Sequence, residues 1–216
     1  MAELIIIRHA QASYGAADYD QLSELGQKQA ALVGAALKER GWHPDRVITG
    51  TLKRQIDTLA AMETDIAPET HPGLNEYDFQ DLLTARFPTG MPEVSTEDRR
   101  AHFRILRETV LAWQLDAFKA KTESWQDFTD RVEAARMFAT DTPAKKVLIV
   151  SSGGVIGQMV AASLGAPAAQ MMHLNLQIKN TAITRFVFSQ SAFSLHEFNA
   201  TAHLDHPDRA NFLTYS

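Results

Sequence analysis

Short aliphatic runs recur along the chain, and most are followed by stretches with apolar positions three or four residues apart. Leu4-Ile5-Ile6-Ile7 is apolar at every position, the pattern of a strand buried on both faces. After it, Ser23 stands where a helix cap belongs, and Leu25, Leu32, Val33, Ala36 and Leu37 form one helical stripe. Gly41 and Pro44 end that stripe. Arg46-Val47-Ile48 predicts a second strand, turning at Thr49-Gly50 into a helix through Leu52, Ile56 and Leu59. Val147 to Val150 predicts a third buried strand, and Gly153-Gly154 lead into a helix through Ile156, Met159, Val160 and Leu164. Ile183 to Phe188 and Phe193 to Phe198 predict a hairpin turned at Ser189-Gln190-Ser191.

The middle of the chain has a different texture. From about Gln80 to Thr140 the apolar positions (Phe103, Leu106, Val110, Leu111, Trp113, then Phe128, Val132, Met137) keep helical spacing, with Pro88, Gly90 and Pro92 breaking the start. This predicts a helical insertion over about residues 80–140, lying over the edge of the sheet, within a single domain spanning 1–216. Strands alternating with helices predict an α/β fold. The expected form is a three-layer α/β/α sandwich around a mainly parallel sheet.

Composition narrows the function. Of 216 residues, 45% are hydrophobic, enough for a sizeable core. The net charge of -5, with no long basic run, argues against a nucleic-acid partner. No apolar run approaches the ~20 residues that span a bilayer, and Met1-Ala2-Glu3 lacks the basic start of a signal peptide. A cytoplasmic, membrane-free protein is expected. With 0 cysteines, disulfides, thiolate metal sites and a cysteine nucleophile are excluded.

In an open α/β sheet, ligands bind beyond the carboxyl ends of the strands. Beyond the first predicted strand come Arg8 and His9. Beyond the second come Thr49-Gly50-Thr51, with Arg54 in the first helical turn. Beyond the third come Ser151-Ser152-Gly153-Gly154, again opening a helix. Helix N-termini present free N–H groups and favour anions. Arginines add forked donors matched to phosphate oxygens, and an imidazole between them can attack phosphorus. Each piece alone is commonplace; three strand ends suited to one ligand are not.

These residues resemble the histidine phosphatase superfamily, the phosphoglycerate mutase-like proteins. Arg8-His9-Ala10-Gln11 is similar to that family's Arg-His-Gly-Glu/Gln motif, and Leu22 to Gly26 with Gln29-Ala30 to its Leu-Thr-x-x-Gly…Gln-Ala segment. Thr49 to Thr58 resembles Ser-x-Leu-x-Arg-Ala-x-x-Thr, with Arg54 as the arginine, and Leu74-Asn75-Glu76 resembles the Leu-x-Glu that carries the acid. Glu123 to Val132 resembles Glu-Ser-x-x-x-Phe-x-x-Arg-Val, and Val150 to Gly154 occupies the place of Val-Ser-His-Gly-Gly. Asn180 and the stretch from Asn199 to Leu204 extend the likeness toward the end of the chain.

The resemblance implies a phosphatase working through a phosphohistidine on a small phosphorylated molecule or a phosphoprotein. It implies His9 as nucleophile, Arg8 and Arg54 as phosphate clamps, and Glu76 as acid and then base. Ser152, Gly153, Gly154, Ser13 and Gln11 are the implied substrate-binding residues. No metal and no cofactor are implied. Three departures stand out: Ala10 replaces a glycine, Gly15 stands in place of a phosphate-binding asparagine with Ser13 as the substitute donor, and Ser152 stands at the second histidine. This last change opens an alternative, a weakened phosphate-binding protein or scaffold. A phosphoglycerate mutase is disfavoured, since Tyr77-Asp78-Phe79-Gln80-Asp81 replaces the Tyr-Gly-x-Leu-x-Gly run of mutases.

Overall fold

Ile5 and Ile7 face one way along the first strand and Leu4 and Ile6 the other, and all four are buried. A strand covered on both faces belongs at the centre of a sheet, and the computed structural model, which describes residues 1–13, 20–90 and 99–215, places it there. Gly15 and Pro92 lie outside the described residues. The sheet runs β3 (Glu69–Thr70), β2 (Arg46–Thr49), β4 (Lys146–Ser151), β1 (Ala2–Arg8), β5 (Ile183–Phe188), β6 (Phe193–Ala200). Pairings from β3 through β1 are parallel, and β5 and β6 continue antiparallel. The parallel register sets Arg8 opposite Ser151 and Thr49 opposite Val150, so three strands finish on one line.

Helices cover both faces. Against Ile5, Ile7, Val47, Leu148 and Val150 lie α1 (Glu24–Glu39) and α2 (Lys53–Ala61), through Val33, Leu37 and Leu59. Ser23 caps α1, accepting from Gly26 N at 3.0 Å, and Gly41, at a φ of 64°, takes the left-handed turn after it. The opposite face, Leu4, Ile6, Ile48, Val147 and Ile149, packs with α4 (Arg99–Gln114), α5 (Trp125–Thr140), α6 (Gly153–Ser163) and α7 (Ala169–Asn175). Trp113 and Phe128, both in the fully buried set, anchor α4 and α5 there. The helices of the middle segment, which also include α3 (Phe79–Arg86), therefore share this face's core, and α5 lies against the 3₁₀ turn Pro72–Leu74 that follows edge strand β3. Burying one such aromatic or aliphatic side chain contributes about 1.5–3 kcal/mol.

Two elements escape the sequence pattern. β3 is two exposed polar residues without periodicity, and α7 is too short to show a stripe beyond Met171 and Met172.

Candidate active site

The end of β1 is bonded from every side. Arg8 N donates to Ala182 O, Thr181 N to Arg8 O at 3.1 Å, and His9 N to Ser151 O at 2.8 Å. Ala10 N donates to Thr58 Oγ1 at 2.9 Å, and His9 O accepts from Asn180 Nδ2 at 3.1 Å. Asn180 is held in turn by Thr214, whose Oγ1 donates to its Oδ1 at 2.9 Å and whose carbonyl accepts its N–H. Gln29, wholly buried, accepts from Gln11 N and donates to Phe212 O and Thr214 Oγ1. The backbone from Arg8 to Gln11 is thus fixed by main-chain and buried side-chain bonds together.

Within this seat His9 has one protonation state that satisfies its neighbours. Nδ1 lies 2.8 Å from Ala10 O, which only accepts, so Nδ1 carries the proton. Nε2 lies 3.2 Å from Arg54 Nε, which only donates, so Nε2 keeps its lone pair. The ring is therefore neutral. Burial, followed by the charges of Arg54 and Arg8, holds its pKa well below the usual histidine value. His9 is 4% exposed.

The two arginines come from different layers. Arg8, 8% exposed, ends β1 and donates through Nη1 to Ile178 O. Arg54 lies in the first turn of α2, where Asp20 accepts from its Nη1 at 2.6 Å and from Lys53 N at 2.7 Å. One carboxylate thereby caps the helix and steadies the guanidinium.

Glu76 follows the 3₁₀ turn Pro72–Leu74 and reaches the N-terminus of α6, where its Oε2 accepts from Gly154 N at 2.9 Å. A side chain at residue 154 has no room: a Cβ there would lie 2.2 Å from Glu76 Oε1. Burial raises the Glu76 pKa, with the Gly154 bond and the charges of Arg54 and Arg8 opposing it. The acid loop itself is gripped by Arg131 of α5. Its Nη1 donates to Gly73 O at 3.1 Å and Asn75 O at 2.7 Å, while Glu123 takes its Nε and Nη2 at 2.6 and 2.8 Å. Tyr77, beside Glu76, accepts from Asn175 Nδ2 at 3.2 Å.

His9, Arg8, Arg54 and Glu76 therefore meet around the N-terminus of α6, as one neutral imidazole, two cations and one carboxyl with a raised pKa. Gly153 belongs to the same wall, since a Cβ there would lie 3.5 Å from Arg8 Cζ. Gly154 gives its N–H to Glu76. Ser152 is wholly buried at the cap position of α6, makes no capping bond, and accepts at Oγ from Gln55 Nε2 at 2.8 Å. Gln11 turns its side chain to Ser23, accepting its hydroxyl at 2.8 Å, and so buttresses α1. Ser13 donates its N–H to Gln21 O in the loop beyond. Sequence reasoning did not name Asp20 or Gln55, and gave no role to Gln29, Thr58, Tyr77, Arg131 or Asn180. His203 packs behind the site, 3.0 Å from Thr181 Oγ1, with its pKa lowered to about 4 by burial and by Arg40 and Arg209. Among the described residues, no three His, Asp or Glu side chains gather to hold a metal, and no helix is long and apolar enough to cross a membrane.

The family model of the histidine phosphatase superfamily (branch 1) matches residues 4–201. No curated protein matches the sequence. Among solved structures, a mycobacterial glucosyl-3-phosphoglycerate phosphatase is 26% identical, with 94% of this chain and 100% of that chain covered and a TM-score of 0.64. The alpha-ribazole phosphatase of Shigella flexneri shares 23% identity over 92% and 96% of the two chains, with a TM-score of 0.64. A phosphoserine phosphatase mutant from Entamoeba histolytica shares 22% over 94% and 100%, with a TM-score of 0.60. The last two likenesses speak for the fold alone.

Proposed function

This chain belongs to the histidine phosphatase superfamily, and from that membership we propose that it hydrolyses phosphomonoesters through a phosphohistidine on His9. The observation that carries the proposal is the state of His9. Its proton is committed to Ala10 O and its Nε2 lone pair faces Arg54, with the charge of Arg8 also acting on the ring.

In the first step the Nε2 lone pair attacks phosphorus while the bond to the ester oxygen breaks. Arg8 and Arg54 hold the equatorial oxygens as charge spreads over them. Protonated Glu76 gives its proton to the leaving oxygen, and its raised pKa suits that duty. In the second step Glu76 takes a proton from water, which attacks the phosphohistidine. Inorganic phosphate leaves and His9 is neutral again. Ser152 and the N–H of Gly153 serve as further donors to the phosphoryl oxygens, Gln11 braces Ser23 at the start of α1, and Ser13 follows on the nucleophile segment. The scheme calls for no metal or organic cofactor. The substrate is a small phosphorylated molecule or a phosphoprotein.

Quenching turnover of a phosphomonoester should trap acid-labile phosphate on His9, found by peptide mass spectrometry. His9→Ala should lose on the order of 10³-fold or more in kcat. Turnover by His9→Ala at the wild-type rate would overturn the reading. Phosphate binding without any turnover in the wild type would favour a phosphate-binding scaffold.

A further inference from the structure

Gln55 is wholly buried, immediately follows the clamping Arg54, and has no part in the chemistry described so far. Its Nε2 donates twice, to Leu74 O at 2.9 Å and to Ser152 Oγ at 2.8 Å. Its Oε1 is buried and, among the described residues, has no partner. The orientation is nonetheless determined. A carbonyl oxygen cannot donate, so the amide nitrogen must face Leu74 O, and Ser152 Oγ must then be the acceptor.

That assignment has a consequence for Ser152. With one lone pair taken by Gln55, its O–H has to point elsewhere. It makes no capping bond to α6, and it donates no hydrogen bond among the described residues. A donor with no acceptor, at the helix end beside Arg8 and Glu76, is complementary to an anionic oxygen.

The space around the pair is matched as well. In the resembled pattern the residue after the arginine is alanine, and position 152 carries histidine. Here a long amide stands beside a short hydroxyl. Gly50 completes the exchange, because a Cβ there would lie 1.9 Å from Gln55 Oε1. Ser152 Oγ already points at the Gln55 amide at 2.8 Å, so a larger side chain in that direction would run into it.

We propose that Gln55 is a positioning residue of this active site. It fills the space left by the absent imidazole and orients the Ser152 hydroxyl as a neutral donor to the phosphoryl group. Its bond to Leu74 O also ties α2 to the loop that carries Glu76, so one amide aligns the arginine, serine and acid segments. The proposal rests on the phosphatase reading above and assigns it a residue that the resemblance does not.

The test is a double-mutant cycle on the full chain, with kcat and KM measured on p-nitrophenyl phosphate. Gln55→Ala and Ser152→Ala should each lower kcat about tenfold, and the double variant should fall no further than the worse single, as for groups acting as a unit. Ser152→His alone should lose activity, because the imidazole meets Gln55. Adding Gln55→Ala to it should restore kcat to the wild-type rate or above. Gln55→Met keeps the volume without the amide, and it replaces the alanine variant in the cycle if that one does not fold. Losses that multiply, wild-type kcat in either single variant, or no rescue of Ser152→His by Gln55→Ala would overturn the proposal. Affinity for inorganic phosphate, read over the same cycle, separates this outcome from failure of the hydrolase reading. Coupled losses of affinity with no phosphate on His9 would refute the hydrolase and leave the pair standing.

Discussion

The nucleophile and the acid are seated by different means. His9 sits at the end of a central strand, and main-chain bonds to Ser151, Ala182 and Thr181 set the position of its segment. Glu76 sits on a loop whose carbonyls are held by side chains: Arg131 takes those of Gly73 and Asn75, and Gln55 and Ser151 share that of Leu74. A strand end shared among many bonds tolerates the loss of one. A loop held mainly by side chains, with two of its carbonyls on one guanidinium, tolerates it less. The chemistry follows the same division: the His9 lone pair must never move far, whereas Glu76 must exchange a proton twice in each cycle.

Three measurements break or sharpen this contrast, and the largest effect falls on the acid itself. Glu76→Gln should slow an alkyl phosphate about 10²–10³-fold and an aryl phosphate, which needs little protonation, about tenfold or less. Equal loss on both would mean that Glu76 only shapes the loop. Next is the pair Arg131→Leu and Asn180→Ala. Arg131→Leu should cost about tenfold in kcat, concentrated on alkyl phosphates like the Glu76 effect, and about 1–3 kcal/mol of stability because Glu123 loses its partner. Asn180→Ala removes one of several bonds on the nucleophile segment. It should lower kcat a few-fold and equally for both substrates. The opposite pattern in leaving-group sensitivity would reverse the division drawn above.

The smallest effect is the shape of the pH profile. Glu76 has a raised pKa and acts protonated in the first step, so kcat/KM for an alkyl phosphate should fall as pH rises through that pKa. His9 has a lowered pKa and acts neutral, so its protonation should not limit the rate until well below the ordinary histidine range. The optimum is therefore acidic, and Glu76→Gln should flatten its alkaline side. A rate that climbs steadily from about pH 5 to about pH 8 would contradict both assignments.

The same contrast explains what the sequence could show. Arg8, His9, Arg54 and Gly153 are legible because each lies just past an aliphatic run or in the helical turn after one, and the parallel register brings those runs' ends together. Glu76 follows no strong strand, and only the resemblance picks it out. Gln55, Arg131 and Asn180 are not legible as parts of the site by local pattern. Their partners lie 97, 56 and 171 residues away, and nothing in the spacing of apolar positions encodes such a pairing. Gln55 in a helix and Arg131 in another look like ordinary polar positions until the tertiary fold removes them from water. What α4 and α5 pack against is not readable for a related reason: periodicity identifies an apolar stripe without saying which surface it covers.

The hold of Phe212 and Thr214 on the nucleophile segment also has a consequence in time. The Gln29 amide reaches Phe212 O across 183 residues of sequence, and Thr214 bonds the asparagine that holds His9 O. During synthesis, α1 and β1 emerge long before those partners exist. Until residues 212–214 clear the ribosome, two amides that end up buried have unfilled valences, and water can still enter beside His9. The final seating of His9 is thereby deferred until residues 212–214 have been made and packed.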